Sequence, residues 1–248
     1  MNNEKIVGLI TVRTSSTRLP NKCLLKFGDF TVIEHIIKRA IYYNIDPIIC
    51  TSIDKSDDVL EQIAKKEGVK CFRGSLENKL KRWADCATFY NIERFHTVDA
   101  DDPFFDGAEM HKSMNLLITR NLDIVCPTIS SSNGGASVGY SLTKNIINEA
   151  LINVDENTDT EMMWYYIDKV QNLKKEILSE LSIISKTQKR LTLDYEEDYW
   201  LLNSIQRILG NFCERDILEK FFNENPDFYK INWFRNTEWK SAQEAKKI

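Results

Sequence analysis

Apolar residues occur along the chain in short blocks separated by amphipathic stretches. Ile6 to Val12 is a nearly unbroken apolar run, the pattern of a strand covered on both faces in a parallel sheet. From Val32 to Tyr43 the apolar positions Val32, Ile33, Ile36, Ile37, Ala40 and Ile41 recur at helical spacing. The same alternation continues. Strands are expected at 47–51, 69–72, 94–98 and 122–126, and helices at 56–66, 77–90 and 109–120. The 56–66 helix has Ser56 at its N-cap position, Asp57 and Asp58 in its first turn and Gly68 beyond its end. Strict strand–helix alternation predicts a doubly wound, mostly parallel sheet.

Beyond Pro127 the pattern loosens. Residues 130–135 read as a loop, 138–142 and 190–194 as strands, and 144–151, 159–169, 198–209 and 216–222 as helices. The tail is aromatic from Phe221 to Trp239, a face that packs back on the domain or covers a partner chain. Lys240 to Ile248 is polar and is expected to fray. No Pro-, Gly- or Ser-rich linker divides the chain, so residues 1–248 are expected to form one domain.

Charge and composition narrow the function classes. Thirty-three Lys and Arg against 37 Asp and Glu give a net charge of −4. That argues against a nucleic-acid polymer as partner but leaves room for a local basic cluster. No apolar run approaches the ~20 residues that span a bilayer. Met1-Asn2-Asn3-Glu4-Lys5 lacks the apolar stretch of a signal peptide, so a cytoplasmic location is expected. The six cysteines form no C-x-x-C pair and read as small buried hydrophobes. His35, His96 and His111 are too few and badly spaced for a three-histidine zinc site. Carboxylates, and with them a hard cation such as Mg²⁺, are the better metal candidates. His96 reads as a packed strand residue, and Trp164, Tyr165 and Tyr166 as a core stripe.

In open parallel sheets, ligands bind beyond the carboxyl ends of the strands. After the first strand, Arg13 to Lys22 packs two Arg, one Lys and four hydroxyl residues into ten positions. The segment reads as a solvated loop or as a polyphosphate cradle. It matches neither G-x-x-x-x-G-K-S/T nor G-x-G-x-x-G. After the fourth strand come Asp99, Asp101, Asp102 and Asp106, and after the 190–194 strand come Asp194, Glu196, Glu197 and Asp198. Carboxylates clustered at a strand end need a cation or a helix N-terminus. Two acidic strand ends facing a basic loop suit Mg²⁺ bridging carboxylates and phosphates.

The segment Val12-Arg13-x-x-Ser16-Thr17-Arg18-Leu19-Pro20-x-Lys22-x-Leu24 resembles the signature of the cytidylyltransferase family. That family holds the CMP-sialic acid and CMP-Kdo synthetases and a spore-coat polysaccharide branch. Four further segments resemble family motifs in the same order: Cys50-Thr51-Ser52 with Asp57-Asp58; Phe72-Arg73-Gly74-Ser75 with Leu80 and Arg82; Ala100-Asp101-x-Pro103-x-x-Asp106; and Leu191-Thr192-Leu193-Asp194-x-x-x-Asp198. The resemblance implies a three-layer, Rossmann-like (GT-A-type) nucleotidyltransferase with a mostly parallel mixed sheet. It implies joining of CTP to an acidic sugar, a ulosonic or nonulosonic acid, with release of pyrophosphate, for surface-glycan synthesis. Carried over residue by residue, it places Arg13, Ser16, Thr17, Arg18 and Lys22 on the triphosphate and Mg²⁺ on Asp101 and Asp194. Thr51, Ser52, Arg73, Ser75 and Arg82 fall near the cytosine and ribose. Arg13, Arg18, Lys22 and Asp101 are then the catalytic set. The resemblance also favours a homodimer, with 130–190 shaping the acceptor pocket or the dimer contact and 210–248 forming a helical tail.

The sequence departs from the family pattern at several points. Asn21 stands where the family usually has Gly, and Asn tolerates the left-handed region better than most residues. Thr97, Asp99, Gly139 and Met162 replace the usual Arg, Thr, Glu and His. These four cluster in the acceptor half. They leave open a phosphorylated or phosphonate acceptor, a sugar phosphate, or a non-catalytic nucleotide-binding relative.

Overall fold

β1 (Ile6–Thr11) is the strand around which the architecture turns, and it leads into a 3-10 turn at Lys22–Leu24 and a hairpin of β2 (Lys26–Phe27) and β3 (Phe30–Thr31). The computed structural model describes residues 5–132, 139–180 and 188–245. α1 (Val32–Tyr42) starts at Thr31: the Thr31 hydroxyl accepts from the Glu34 N–H, and the Glu34 carboxylate accepts from the Thr31 N–H. There follow β4 (Ile45–Ser52), α2 (Asp58–Glu67), β5 (Lys70–Gly74), α3 (Lys79–Phe89), β6 (Arg94–Asp99), α4 (Gly107–Thr119) and β7 (Ile124–Cys126). Then come a four-residue α5 (Ile129–Ser132), β8 (Ser141–Thr143), α6 (Lys144–Ala150), α7 (Trp164–Ile167) and β9 (Lys175–Ile177). α8 (Glu196–Leu209), α9 (Arg215–Glu224) and α10 (Arg235–Ala245) complete the described chain.

Seven strands form one sheet in the order β5-β4-β1-β6-β8-β7-β9. All pairings are parallel except those of β8, which runs antiparallel to both β6 and β7. Side chains alternate between the two faces. Ile10, Ile49 and Val98 join α1, α4 and α8 in one apolar cluster, while Leu9, Ile48 and Phe95 join α3 and α6 in another. Covering both faces requires strands apolar at nearly every position, which is what the sequence shows. The result is the expected three-layer, Rossmann-like arrangement with a mostly parallel mixed sheet. Among the described residues, no helix is long and apolar enough to cross a membrane.

Several elements differ from expectation, each for a tertiary reason. The 190–194 stretch is not a strand. It runs beside the turn after β6, where the Leu193 N–H donates to Asp101 O at 2.7 Å and the Thr192 hydroxyl to Asp102 at 2.9 Å. The expected 159–169 helix shrinks to α7, because Thr160 accepts from the Leu80 N–H at 2.9 Å and donates to Asn78 at 3.0 Å, tying that segment to the start of α3. Ser56 does not cap α2; its own N–H donates to Asp54 at 2.8 Å. The short, polar edge strand β9 carries too little apolar signal to be read from sequence. The expected 138–142 strand is β8, and position 138 lies outside the described residues, as does most of the 133–140 stretch holding the Gly135-to-Tyr140 motif. The tail packs back on the domain and stays helical to Ala245 instead of fraying from Lys240. His96 is fully buried on β6 and hydrogen-bonds Ser141 at 2.8 Å. Trp164 and Tyr166 join the core as expected, whereas Tyr165 is exposed.

Gly139 has a structural cause. Its φ is +75°, and a Cβ there would lie 2.1 Å from the Thr97 carbonyl oxygen. That oxygen belongs to central strand β6 and cannot retreat cheaply. Gly139→Ala is therefore expected to destabilise the fold by ~2–3 kcal/mol, read as a lowered midpoint in urea unfolding. An unchanged midpoint would show that the segment before Tyr140 yields freely.

Candidate active site

The topology reverses at β1, which pairs with β4 on one side and β6 on the other. Thr11 lies in register with Asp99, so the loop after β1 and the acidic turn after β6 emerge side by side. Between them is a cleft of about 260 Å³.

The 13–22 loop is anchored from beneath. The Thr14 N–H and hydroxyl both donate to Asp57 Oδ1 at 2.8 Å, and the Ser52 hydroxyl donates to Asp57 Oδ2 at 2.5 Å. Burial alone would push the Asp57 carboxyl up, but the Ser52 and Thr14 hydrogen bonds outweigh it and hold the group below its ordinary value. Asp57 is thus the loop's anchor as well as an acid at the start of α2. Asn21 adopts the left-handed conformation (φ 55°), and its N–H donates back to Thr14 O at 3.3 Å, so the turn closes without glycine.

The loop's cations meet the carboxylates. Lys22 Nζ donates to Asp101 Oδ2 at 2.7 Å, to Leu193 O at 2.8 Å and to Asp194 Oδ1 at 3.0 Å. Arg18 donates to the same Asp194 oxygen at 2.8 Å and lies over the Tyr195 ring. Burial alone would lower the Lys22 ammonium, but Asp101 and Asp194 outweigh it and raise its pKa. Likewise, burial alone would raise Asp194, yet Lys22 and Arg18 hold it below its ordinary value. Asp99 is pushed up to about 6 by burial and the neighbouring Asp101 charge. Asp102 is raised well above its ordinary value by burial, then by Asp101 and Asp99.

Arg13, Ser16, Thr17, Arg18, Lys22 and Asp101 all line the cleft. Asp194 meets it through Lys22 and Arg18. The residues expected near the base are arranged differently. Thr51 and Ser52 are fully buried, and Arg73 braces the 52–54 backbone, donating to Ser52 O at 2.9 Å and Asp54 O at 2.8 Å. Arg82 is buried and donates to Ser75 O at 2.5 Å, while the Ser75 hydroxyl accepts from the Asn78 N–H at 3.0 Å. These five side chains shape the loops beside the cleft and are not among those lining it.

Sequence reading missed Lys79 and gave Glu161, at the family's Glu-His position, no place in the site; the two line the cleft 3.3 Å apart, with Glu161 also 3.6 Å from Arg13. Lys79 opens α3 just after the Asn78 cap, a position that motif spacing had not marked. It also missed Arg190, whose fully buried guanidinium pairs with Asp194 at 3.2 Å.

The donor set suits a hard cation. One ammonium nitrogen already sits within 3.0 Å of both the Asp101 and Asp194 carboxylates, so the two groups converge on a single positive centre. Two carboxylate oxygens, with phosphate oxygens and water to complete the shell, fit Mg²⁺. Among the described residues there is no group of three or more Asp, Glu, His or Cys poised to hold a metal by themselves. A metal here would have to share ligands with a substrate.

Comparison with known proteins shows which family the chain resembles. An uncharacterized protein of Methanocaldococcus jannaschii is 30% identical over 97% of this chain and 99% of its own length. The spore coat polysaccharide biosynthesis protein SpsF of Bacillus subtilis is 26% identical over 90% of this chain and 95% of its own. The solved cytidylyltransferase of Leptospira borgpetersenii superposes with a TM-score of 0.79 at 25% identity, covering 91% of this chain and 96% of that one. A CMP:2-keto-3-deoxy-manno-octonic acid synthetase complexed with CTP shares the fold, with a TM-score of 0.62 at 14% identity over 83% of this chain and 99% of that one. The cytidylyltransferase family model matches residues 7–220, and the chain belongs to that family of nucleotidyltransferases.

Proposed function

We propose that this enzyme transfers the cytidylyl group of CTP to an acidic sugar of the ulosonic or nonulosonic class, releasing pyrophosphate, with Mg²⁺ held by Asp101 and Asp194. The observation that carries this reading is the convergence of Lys22 and Arg18 with Asp101 and Asp194 at one end of the cleft. A triphosphate needs both halves: cations for its oxygens and carboxylates for the metal that accompanies it.

In the reaction, an acceptor hydroxyl oxygen bonds the α-phosphorus and releases its proton to solvent, while the bond from that phosphorus to the pyrophosphate oxygen breaks in line and pyrophosphate leaves. No covalent enzyme intermediate is required, so positioning and charge stabilisation do the catalysis. Lys22 and Arg18 stabilise the charge that develops on the leaving pyrophosphate. Arg13, Ser16 and Thr17 orient the phosphate chain from the same loop. When bound, Mg²⁺ supplies Lewis-acid polarisation of the phosphate. Lys79 and Arg13 place positive charge at the Glu161 side of the cleft, where they support an anionic acceptor.

The direct test supplies labelled CTP, Mg²⁺ and a panel of ulosonic and nonulosonic acids, and follows pyrophosphate. Release that depends on one acidic sugar is expected. Turnover only with phosphorylated or phosphonate acceptors would move the acceptor class, and no release with any acceptor from folded protein would overturn the reading.

A further inference from the structure

Asp194 is held from behind by a buried network that reaches the C-terminal segment. Arg190, fully buried, donates through Nη2 to Asp194 Oδ2 at 3.2 Å and grips Asp198 through Nε and Nη2 at 3.0 and 3.1 Å. Asp198, also fully buried, accepts from the backbone N–H groups of Asp194 and Tyr195 at 2.9 and 3.0 Å. One carboxylate thus fixes both the main chain of Asp194 and its side-chain partner. Asn232 closes the network: its buried amide donates to Arg190 O at 2.9 Å and to Asp198 Oδ1 at 2.8 Å. The Trp239 ring lies 5.4 Å from the Arg190 guanidinium, and Arg235 pairs with both oxygens of Glu197. The family model ends at residue 220, so Asn232, Arg235 and Trp239 come from a segment outside it.

We propose that Asn232 is a positioning residue for Asp194, acting through Asp198 and Arg190, and that the C-terminal segment thereby sets the metal affinity of the site. The role assigned to Asp194 rests on the cytidylyl-transfer reading. Removing the Asn232 amide leaves Asp198 Oδ1 and Arg190 O each short of a donor where water does not replace it. Rotation of Asp198 relieves this, but it releases the Asp194 and Tyr195 N–H groups and loosens the guanidinium grip on Asp194. The Asp194 carboxylate then no longer converges with Asp101 on one cationic centre. A residue that merely packed the tail would alter stability and leave that convergence intact.

The test titrates Mn²⁺, followed by electron paramagnetic resonance, into full-length protein saturated with CTP. Wild type, Asn232→Ala and Phe228→Ala are compared. Phe228 belongs to the same segment but packs on the Phe221 ring, 4.8 Å away. Asn232→Ala is expected to weaken Mn²⁺ about tenfold, as is usual for groups that orient metal ligands. Phe228→Ala is expected to lower the melting temperature and leave the Mn²⁺ affinity of the folded protein unchanged. Wild-type Mn²⁺ affinity in Asn232→Ala, or no Mn²⁺ binding by wild type, overturns the proposal. If Asn232→Ala is too unstable to assay, Asn232→Ser, which keeps one donation, is read by the same titration and the same criterion. Failure of the activity reading is seen separately, as wild-type protein that binds Mn²⁺ and CTP but releases no pyrophosphate.

Discussion

Asp101→Asn and Asp194→Asn are each expected to lower pyrophosphate release by ~10³-fold or more, the scale seen when a group central to charge stabilisation is lost. Asn keeps the shape but removes the negative charge and one hard oxygen donor. The two variants should differ in stability. The Asp101 side chain is 29% exposed, and its loss leaves Lys22 still paired with Asp194. Asp194 is 2% exposed and faces Lys22, Arg18 and Arg190 together. Neutralising it leaves three cations without their shared partner, a change worth ~3–5 kcal/mol in buried settings. Asp101→Asn should therefore melt close to wild type while Asp194→Asn melts clearly lower. The pair is checked by thermal unfolding alongside turnover, and activity within tenfold of wild type in a folded variant would remove that residue from the metal site.

Lys22→Met should show two opposite effects. Turnover is expected to fall by ~10²–10³-fold, because a preorganised cation is lost where the pyrophosphate charge develops. Metal binding without nucleotide is expected to tighten, because in the free protein the ammonium occupies the point on which Asp101 and Asp194 converge. Mn²⁺ titration of nucleotide-free protein reads the second effect directly. Lys22→Arg should not rescue turnover, since a planar fork does not replace a compact point charge donating to three oxygens. Metal affinity that falls in Lys22→Met would show that Lys22 and the metal do not compete for the two carboxylates.

Much of the site was legible because its parts are local. The 13–22 loop declares itself by ten residues of cations and hydroxyls after an apolar strand, and Asp101 by its acidic turn. Asn21, standing where the family usually has Gly, keeps the left-handed turn, with φ 55°. Misreadings arose where a segment's partner lies far along the chain. Leu191 to Asp194 has the apolar spacing of a strand, yet its backbone hydrogen-bonds the turn after β6. Thr160 delays the start of the expected 159–169 helix, because its hydroxyl accepts from the Leu80 N–H and donates to Asn78, the cap of α3. Ser52, Arg73 and Arg82 sit in motif positions, and folding turns their side chains to Asp57, to the Ser52 and Asp54 carbonyls and to the Ser75 carbonyl.

The sequence by itself determined the layers, the strand ends and the chemical types present, because strand and helix periodicity and turn chemistry act over a few residues. Only the tertiary structure decided which strand ends become neighbours. The placement of β1 between β4 and β6 brings Thr11 beside Asp99, and the crossing of the 190–194 segment brings Asp194 to Lys22. The pairing of Glu161 with Lys79 and the role of Asn232 were invisible for the same reason. Each residue is an ordinary polar residue until folding removes water from one side and leaves Lys79, Arg190 or Asp198 as its partner.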